Sequence, residues 1–182
     1  MTRLFIALII PGEIKKKITE IRKEILPEGD KHKWEREEKI HLTLKFIGEV
    51  EDTKVEKISQ SLNFIENYFK FECRLSRFGF FFKKGIAKIL WVGISTSNPI
   101  YKLVDEINDN LEKLSIPKNE RKFKSHLTLL RLKNKESIDF IKSFESFVMP
   151  EINFYINEAA LIKSELLPDS SKYTEIKKYK LK

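Results

Sequence analysis

The chain has 182 residues, of which 41% are hydrophobic and 34% charged, and its formal net charge is +8. This composition is typical of a globular protein and excludes a collagen, a disulfide scaffold and a disordered tail. The single cysteine, Cys73, cannot form an internal disulfide, which favours a reducing, cytoplasmic compartment. No segment approaches the roughly 18 apolar residues that cross a bilayer, so we expect no association with membranes.

The beginning of the chain predicts a strand followed by a helix. Residues 3–10 form a nearly continuous apolar run rich in β-branched residues, which is typical of a buried strand. Residues 14–25 carry isoleucines at spacings of four, three and four, as on the buried face of a helix, and residues 27–30 bring that helix to an end. A second strand is predicted over residues 40–47.

The rest of the chain repeats these two patterns. Asp52 or Thr53 is expected to cap a second helix, whose apolar stripe runs over residues 55–65. The same periodicities predict strands 69–75, 87–94, 126–132, 152–162 and 173–181, and helices 104–114 and 138–148. Since strands and helices are interspersed without a long linker, we predict an α+β fold with mostly antiparallel sheet and no separable domain.

The tetrapeptide His-Leu-Thr-Leu occurs twice, at residues 41–44 and 126–129. A given histidine would precede Leu-Thr-Leu by chance in only about 4 of 10,000 cases, so coincidence is a poor explanation. Alternate side chains of a strand face opposite sides. We therefore expect the leucines of both copies to enter a core, and the histidines and threonines to face a groove together.

Two imidazoles and two hydroxyls on one groove suit phosphodiester chemistry. One neutral imidazole can take a proton from the attacking oxygen while the other, protonated, donates one to the leaving oxygen, because an unperturbed histidine titrates near pH 6.5. Thr43 and Thr128 can bind the nonbridging phosphate oxygens. Two alternatives stay open, namely a metal site, for which this is a poor ligand set, and a pair of histidines satisfied inside a core.

The chain resembles the 2H phosphoesterases, a family named for two H-x-T/S-x motifs. Within that family it is similar to the RNA 2′,3′-cyclic phosphodiesterases, which are also described as 2′-5′ RNA ligases. The resemblance covers nearly the whole chain and rests on residues 3–7, 40–50, 90–94, 126–131 and 163–166. One departure is Ser125, because the family commonly has proline before the second histidine.

The resemblance implies a bilobal fold, in which two pseudo-twofold-related lobes of sheet carry helices on the outside and enclose a central cleft. Residues 1–182 would then form a single 2H phosphoesterase domain of two intertwined lobes. It also implies hydrolysis of a 2′,3′-cyclic phosphate to a 2′-phosphomonoester without a metal ion or cofactor. His41 would be the proton donor and His126 the proton acceptor, an order that the two nearly identical copies do not themselves determine.

Basic and aromatic residues lie near the second motif. Arg131 matches an arginine of the family pattern and is expected to bind substrate, although strand parity places it opposite His126. Residues 118–135 hold seven basic residues against one acidic residue, which we expect to attract an RNA end. The basic residues are Lys118, Arg121, Lys122, Lys124, Arg131, Lys133 and Lys135.

The remaining aromatic residues are interpreted as structural. Core packing is favoured over base stacking for the aromatic segment 78–82, and Trp34 and Trp91 are expected to be structural as well. His32 lies in a charged stretch outside both motifs and is expected at the surface.

Three functions follow, in order of preference. The first is a cyclic phosphodiesterase acting on RNA with 2′,3′-cyclic phosphate ends, tRNA fragments among them, as a monomer. The second is ATP-independent 2′-5′ RNA ligation by the same residues, with an alcohol in place of water. The third is a noncatalytic RNA-binding module that uses the basic surface.

Overall fold

The computed structural model of the protein describes residues 1–26, 31–96, 100–119, 122–133, 135–168 and 170–182. Within these residues the strands are β1 Thr2–Ile9, β2 His41–Val50, β3 Phe71–Lys83, β4 Ile86–Thr96, β5 His126–Arg131, β6 Asn153–Ile156, β7 Glu158–Leu166 and β8 Ser171–Lys180. The α-helices are α1 Gly12–Ile25, α2 Val55–Ser61, α3 Ile100–Glu112 and α4 Ile138–Glu145. None of these helices has the length and apolar character that crossing a membrane requires. The predicted end of the first helix, at residues 27–30, lies outside the described residues.

The described strands form two four-stranded antiparallel sheets of the same design. The first sheet has the order β2-β1-β7-β8 and the second has the order β5-β4-β3-β6. Helix α1 connects β1 to β2, and α3 connects β4 to β5 in the same way. The chain crosses to the second sheet after β2 and returns to the first between β6 and β7. The predicted α+β fold of two related lobes is therefore confirmed.

One continuous core of buried apolar side chains joins the two lobes. It contains Ile14 of α1, Ile107 of α3 and Phe144 of α4, together with Leu42 and Leu127 of the two motif strands. The amphipathic patterns of these helices therefore cover the faces of the two sheets, and polar residues of the helices lie outside.

The aromatic segment belongs to a long hairpin. Strand β3 runs over Phe71–Lys83, so the predicted strand 69–75 is only its first half and the segment 78–82 is strand as well. The turn that follows has Lys84 and Gly85 at φ values of 51° and 74°. A two-residue turn with both φ values positive matches the twist of a hairpin, which explains the glycine at this position.

The predicted strand 152–162 is wrong, because the structure divides it between the two sheets. Strand β6 pairs with β3, whereas β7 pairs with β1 and β8. Between them lies Asn157, whose carbonyl accepts a hydrogen bond from the backbone N–H of Leu181 at 2.8 Å. Apolar alternation predicts strand on both sides of Asn157 but does not encode a change of sheet.

The predicted cap of the second helix is also wrong. Helix α2 begins at Val55 without a side-chain cap. Asp52 instead accepts a hydrogen bond from the Thr2 hydroxyl at 2.6 Å and lies 3.4 Å from the amino terminus. Its carboxylate thus holds the start of β1 rather than the start of the helix.

A buried lysine ties the first motif strand to the second lobe. Lys45 of β2 is only 1% exposed. Its ammonium group donates hydrogen bonds to Asn108 Oδ1 of α3 and to the Pro117 carbonyl, both at 2.7 Å. Burial lowers the pKa of Lys45, so these two oxygens are needed to hold the ammonium group in the core.

Replacing Lys45 should therefore destabilise the protein. We expect Lys45→Met, which keeps the length of the side chain but loses both hydrogen bonds, to lower the free energy of unfolding by about 1–3 kcal/mol. Urea unfolding measures this change, with Lys57→Met on the exposed face of α2 as the matched control. Equal stability of the two variants would show that the buried hydrogen bonds contribute nothing.

Candidate active site

The two tetrapeptides lie at the beginning of the edge strands β2 and β5. Strand β2 begins at His41 and β5 begins at His126. The four motif leucines, Leu42, Leu44, Leu127 and Leu129, are at most 3% exposed. The opposite face carries both histidines and both threonines, and all four of these side chains line one cavity of about 920 Å³.

A β-bulge turns Arg131 into this cavity. Thr128 and Leu130 pair with adjacent residues of β4, so Leu129 is an extra residue in β5. The extra residue reverses the parity of everything after it. Arg131 therefore lines the cavity on the same side as His126, and the predicted placement opposite His126 is wrong.

The first sheet has the same bulge. Thr43 and Lys45 pair with adjacent residues of β1, so Leu44 is extra. As a result Phe46 turns into the cavity, where it is 62% exposed. Phe46 and Arg131 each follow a motif histidine by five residues, so one half of the cavity has a phenyl ring where the other has a guanidinium group. The expectations from sequence did not include Phe46.

Both histidines bond to backbone two residues upstream. His126 Nδ1 lies 2.7 Å from the Lys124 carbonyl, and His41 makes a backbone hydrogen bond to Lys39. A carbonyl can only accept, so Nδ1 of His126 carries the hydrogen and Nε2 is the nitrogen left for chemistry.

The structure lowers the pKa of both imidazoles. Burial lowers the pKa of His41 to about 4, and the positive charges of Lys15 and Arg131 act in the same direction. Burial, then Arg131 and Lys124, also lower the pKa of His126. Both rings are therefore predominantly neutral at pH 7 in the free protein, and the ordinary value near 6.5 used in the sequence argument is too high.

Aromatic rings fix the two imidazole planes. The His41 ring stacks on Phe5 with centroids 4.9 Å apart, and the Tyr173 ring contacts it edge-on at 5.5 Å. Phe81 contacts the His126 ring edge-on at 4.8 Å. Tyr173 lies on β8, far from both motifs in sequence, so its place beside His41 had no local signal.

The other aromatic residues of the segment 78–82 and Trp91 differ in burial. Phe78 and Phe80 are buried, as the packing interpretation predicts, whereas Phe82 is exposed. Trp91 packs across Gly79, where a Cβ atom would collide with the indole, and lies 5.5 Å from Phe81 between ring centroids. Gly79 is therefore required for the packing that supports Phe81.

Trp34 and His32 are anchored to helices. The Arg22 guanidinium lies 4.7 Å above the Trp34 ring, and Phe144 lies 5.9 Å from it, in agreement with a structural role. His32 is half-buried, with Nε2 3.1 Å from Glu136 Oε2 and its ring 4.7 Å from Phe140. The prediction of a simple surface histidine is wrong, because this charged stretch packs on α4.

The charge of the cavity comes largely from elements other than the predicted basic window. Among the described residues that line it, the basic side chains are Arg3, Lys33, Arg36, Lys39, Arg131 and Lys133, and the acidic one is Glu35. Only Arg131 and Lys133 belong to residues 118–135. Lys118 instead pairs with Asp109 at 2.5 Å and Glu112 at 3.4 Å. Arg121 lies outside the described residues.

Over the part of the chain that the structure describes, no three His, Cys, Asp or Glu side chains lie together as a metal site would require.

Known proteins resemble this chain over nearly its whole length. It is 30% identical over 181 residues to an RNA 2′,3′-cyclic phosphodiesterase of Methanocaldococcus jannaschii, covering 97% of this chain and 99% of that protein. A protein of the same name from Thermotoga maritima is 29% identical over 172 residues, which cover 94% and 91% of the two chains.

Solved structures share the fold. The crystal structure of TT0787 from Thermus thermophilus has a TM-score of 0.80 at 24% identity and covers 98% of this chain and 97% of that one. That of Escherichia coli LigT complexed with 3′-AMP has a TM-score of 0.77 at 23% identity and covers 99% and 98%.

The family comparison reflects the duplication seen in the two sheets. A model described as LigT like Phosphoesterase matches twice, over residues 8–91 and 92–173, and each match contains one motif histidine. With one motif in each half and both motifs on a shared cavity, the chain belongs to the LigT-like phosphoesterases, the 2H family that its sequence resembles.

Proposed function

We propose that this protein hydrolyses the terminal 2′,3′-cyclic phosphate of RNA to a 2′-phosphomonoester, without a metal ion or cofactor. The observation that carries the proposal is the convergence of both histidine–threonine pairs on one basic cavity. The names of the Methanocaldococcus and Thermotoga relatives support the substrate class. Tyr173 and Phe81 support the chemistry, since they restrain the rings that must move protons.

The proposed reaction is an in-line displacement at phosphorus. His126 Nε2 takes a proton from water, the water oxygen bonds to phosphorus, and the bond from phosphorus to the 3′ oxygen breaks. His41 donates its proton to the leaving 3′ oxygen, which leaves a 3′-hydroxyl and a 2′-phosphate. His126 is the less buried of the two rings, which suits the group that meets water.

Three further side chains are proposed to stabilise the phosphate. The hydroxyls of Thr43 and Thr128 lie on the cavity beside their histidines and can donate to the nonbridging oxygens as charge builds there. Arg131 supplies a positive charge that the bulge in β5 has brought to the same side.

Substrate binding is proposed to supply the proton that the free protein lacks. The low pKa of His41 leaves its ring neutral near pH 7. A cyclic phosphate carries a negative charge, which favours a protonated imidazole beside it and raises its pKa. The donor is thus charged when the phosphate lies between the two rings.

We also propose RNA ends, tRNA fragments among them, as the partners of this site, and a monomer in the cytoplasm. The six basic side chains that line the cavity support a polyanionic partner.

The thiol of Cys73 is buried and its pKa is raised to about 12, which makes it unreactive.

Removing either motif histidine tests the proposed chemistry. We expect His41→Ala and His126→Ala each to lower kcat on a 2′,3′-cyclic nucleotide by about 100-fold or more, because each loses one proton transfer. Chromatography identifies the 2′-phosphate product, and His32→Ala removes the third histidine as the matched control. EDTA should leave the rate unchanged.

An active single variant would contradict the two-histidine mechanism, and strong inhibition by EDTA would contradict metal independence. Tight binding of RNA by the wild-type protein with no turnover of any cyclic phosphate would replace the proposal by a noncatalytic RNA-binding module.

The pH profile tests the environment of the histidines. The dependence of kcat/KM on pH reports groups of the free enzyme, and both imidazoles have a pKa below the ordinary 6.5. We expect an optimum below pH 6.5. Arg131→Ala removes a charge that lowers both pKa values, so the optimum should move to higher pH.

The matched control is Lys118→Ala, since this lysine is paired on α3. An optimum above pH 6.5 in the wild type, or an unmoved profile in Arg131→Ala, would contradict this electrostatic account.

A second candidate activity is ATP-independent 2′-5′ RNA ligation. It would use the same residues, with the 5′-hydroxyl of a second RNA end in place of water, and the cavity of about 920 Å³ would have to hold both ends.

RNA with a cyclic phosphate end should therefore join a strand with a 5′-hydroxyl when that strand is in large excess. The joined product should resist a nuclease specific for 3′-5′ bonds, and it should disappear with His41→Ala. Formation of 2′-phosphate alone at every concentration of the second strand would refute ligation and leave hydrolysis standing.

A further inference from the structure

Residues 34–39, called the bridging segment below, connect the two motifs. Trp34 makes an isolated β-bridge to Leu130, and the backbone N–H of Glu35 donates to the Leu129 carbonyl at 2.8 Å. At its other end, His41 makes its backbone hydrogen bond to Lys39. The residues that precede the first motif are thus bonded to the strand of the second.

The bridging segment places one carboxylate in the basic cavity. Glu35 is 24% exposed, and its Oε1 atom lies 3.3 Å from Nε of Arg131. It is the acidic residue among the described residues of the cavity lining. A negative charge in a site for phosphate costs binding energy by simple electrostatics, so its presence calls for a function.

The geometry of the ion pair between Glu35 and Arg131 indicates what this function is. A guanidinium group is planar and carries five N–H donors in a fixed fork. Because Glu35 engages Nε, the opposite edge, with Nη1 and Nη2, stays available to grip two oxygens of one phosphate.

Contacts of Glu35 and of its neighbour Trp34 hold the backbone of Glu35 in place beside Arg131. Its neighbour Trp34 is packed between the Arg22 guanidinium at 4.7 Å and the Phe144 ring at 5.9 Å. Its own N–H is bonded to the bulge residue Leu129, two positions before Arg131. The backbone that carries the Glu35 carboxylate is therefore hydrogen-bonded to β5 two residues away from Arg131.

We propose that Glu35 is a positioning residue, which holds Arg131 by its Nε edge so that the two terminal nitrogens face the phosphate. This inference rests on the proposed function, in which Arg131 binds the phosphate. Glu35 acts through Arg131 and has no contact of its own with the reacting atoms.

The proposal and simple electrostatics predict opposite signs. If Glu35 were only a negative charge near an anion, Glu35→Ala would tighten phosphate binding. If Glu35 positions Arg131, the same substitution frees the guanidinium to move and weakens binding, even though the cavity becomes more positive.

A double-mutant cycle on Glu35 and Arg131 separates the two. With Arg131 present, we expect Glu35→Ala to lower kcat/KM for 2′,3′-cyclic AMP roughly tenfold. The same substitution should weaken the binding of adenosine 2′-monophosphate, measured by calorimetry, roughly tenfold as well. Glu35→Gln should retain most of both, since its amide oxygen can take the place of Oε1 beside Nε. In the Arg131→Ala background, Glu35→Ala should cause no loss or a gain.

The controls distinguish positioning from folding. Glu38→Ala removes a carboxylate from the same segment that pairs with Arg36 at 3.8 Å, and it should cause no loss. Unchanged or tighter binding in Glu35→Ala with Arg131 present would overturn the proposal. So would an equal loss in both backgrounds, which would indicate a structural defect.

The calorimetric measurement keeps the inference separate from the proposed activity. A wild-type protein that binds adenosine 2′-monophosphate but hydrolyses no cyclic phosphate would refute the proposed function. The binding measurements would still decide whether Glu35 positions Arg131. If it does, Glu35→Ala weakens the binding of adenosine 2′-monophosphate when Arg131 is present and does not weaken it in the Arg131→Ala background.

Discussion

Burial of the four motif leucines is the constraint on which the site depends. Each fully buried leucine contributes about 1.5–3 kcal/mol relative to an exposed one, and these four are at most 3% exposed. A slip of one residue in either strand would expose its leucines and drive a histidine and a threonine into the core. The same packing that stabilises the two lobes therefore aims His41, Thr43, His126 and Thr128 at one cavity.

The duplication gives two identical histidine–threonine pairs, and the surroundings of the two pairs make them different. His41 is enclosed by Phe5 and Tyr173, whereas His126 touches Phe81 and is less buried. Five residues after each histidine, matching bulges place Phe46 on one side of the cavity and Arg131 on the other. A reaction that needs one acid and one base needs such an asymmetry.

Much of this arrangement could be predicted from sequence, because it follows from periodicity. The two-residue period of each motif determined which side chains enter the core, and the repeat showed that two strands share one role. The position of Arg131 could not be obtained in this way, since a bulge adds one residue without a signal in the surrounding sequence. The split at Asn157 was missed for a related reason: the same alternation continues into a strand of the other sheet.

The electrostatics of the cavity depend on contacts between distant elements. The low pKa of His41 arises chiefly from burial, to which Phe5 and Tyr173 contribute from strands remote from the motif. Glu35 reaches Arg131 across almost a hundred residues of chain, roughly the separation of the two motifs. Neither feature has a local pattern that a single sequence could reveal.

The central claim is that both imidazoles act on one phosphate, and NMR of the histidine ring nitrogens tests it most directly. During titration with adenosine 2′-monophosphate, Nε2 of His41 and Nε2 of His126 should shift together, with one affinity and one equivalent of ligand. The pKa of each ring should rise in the complex. A response of only one histidine, or two responses with different affinities, would contradict the account.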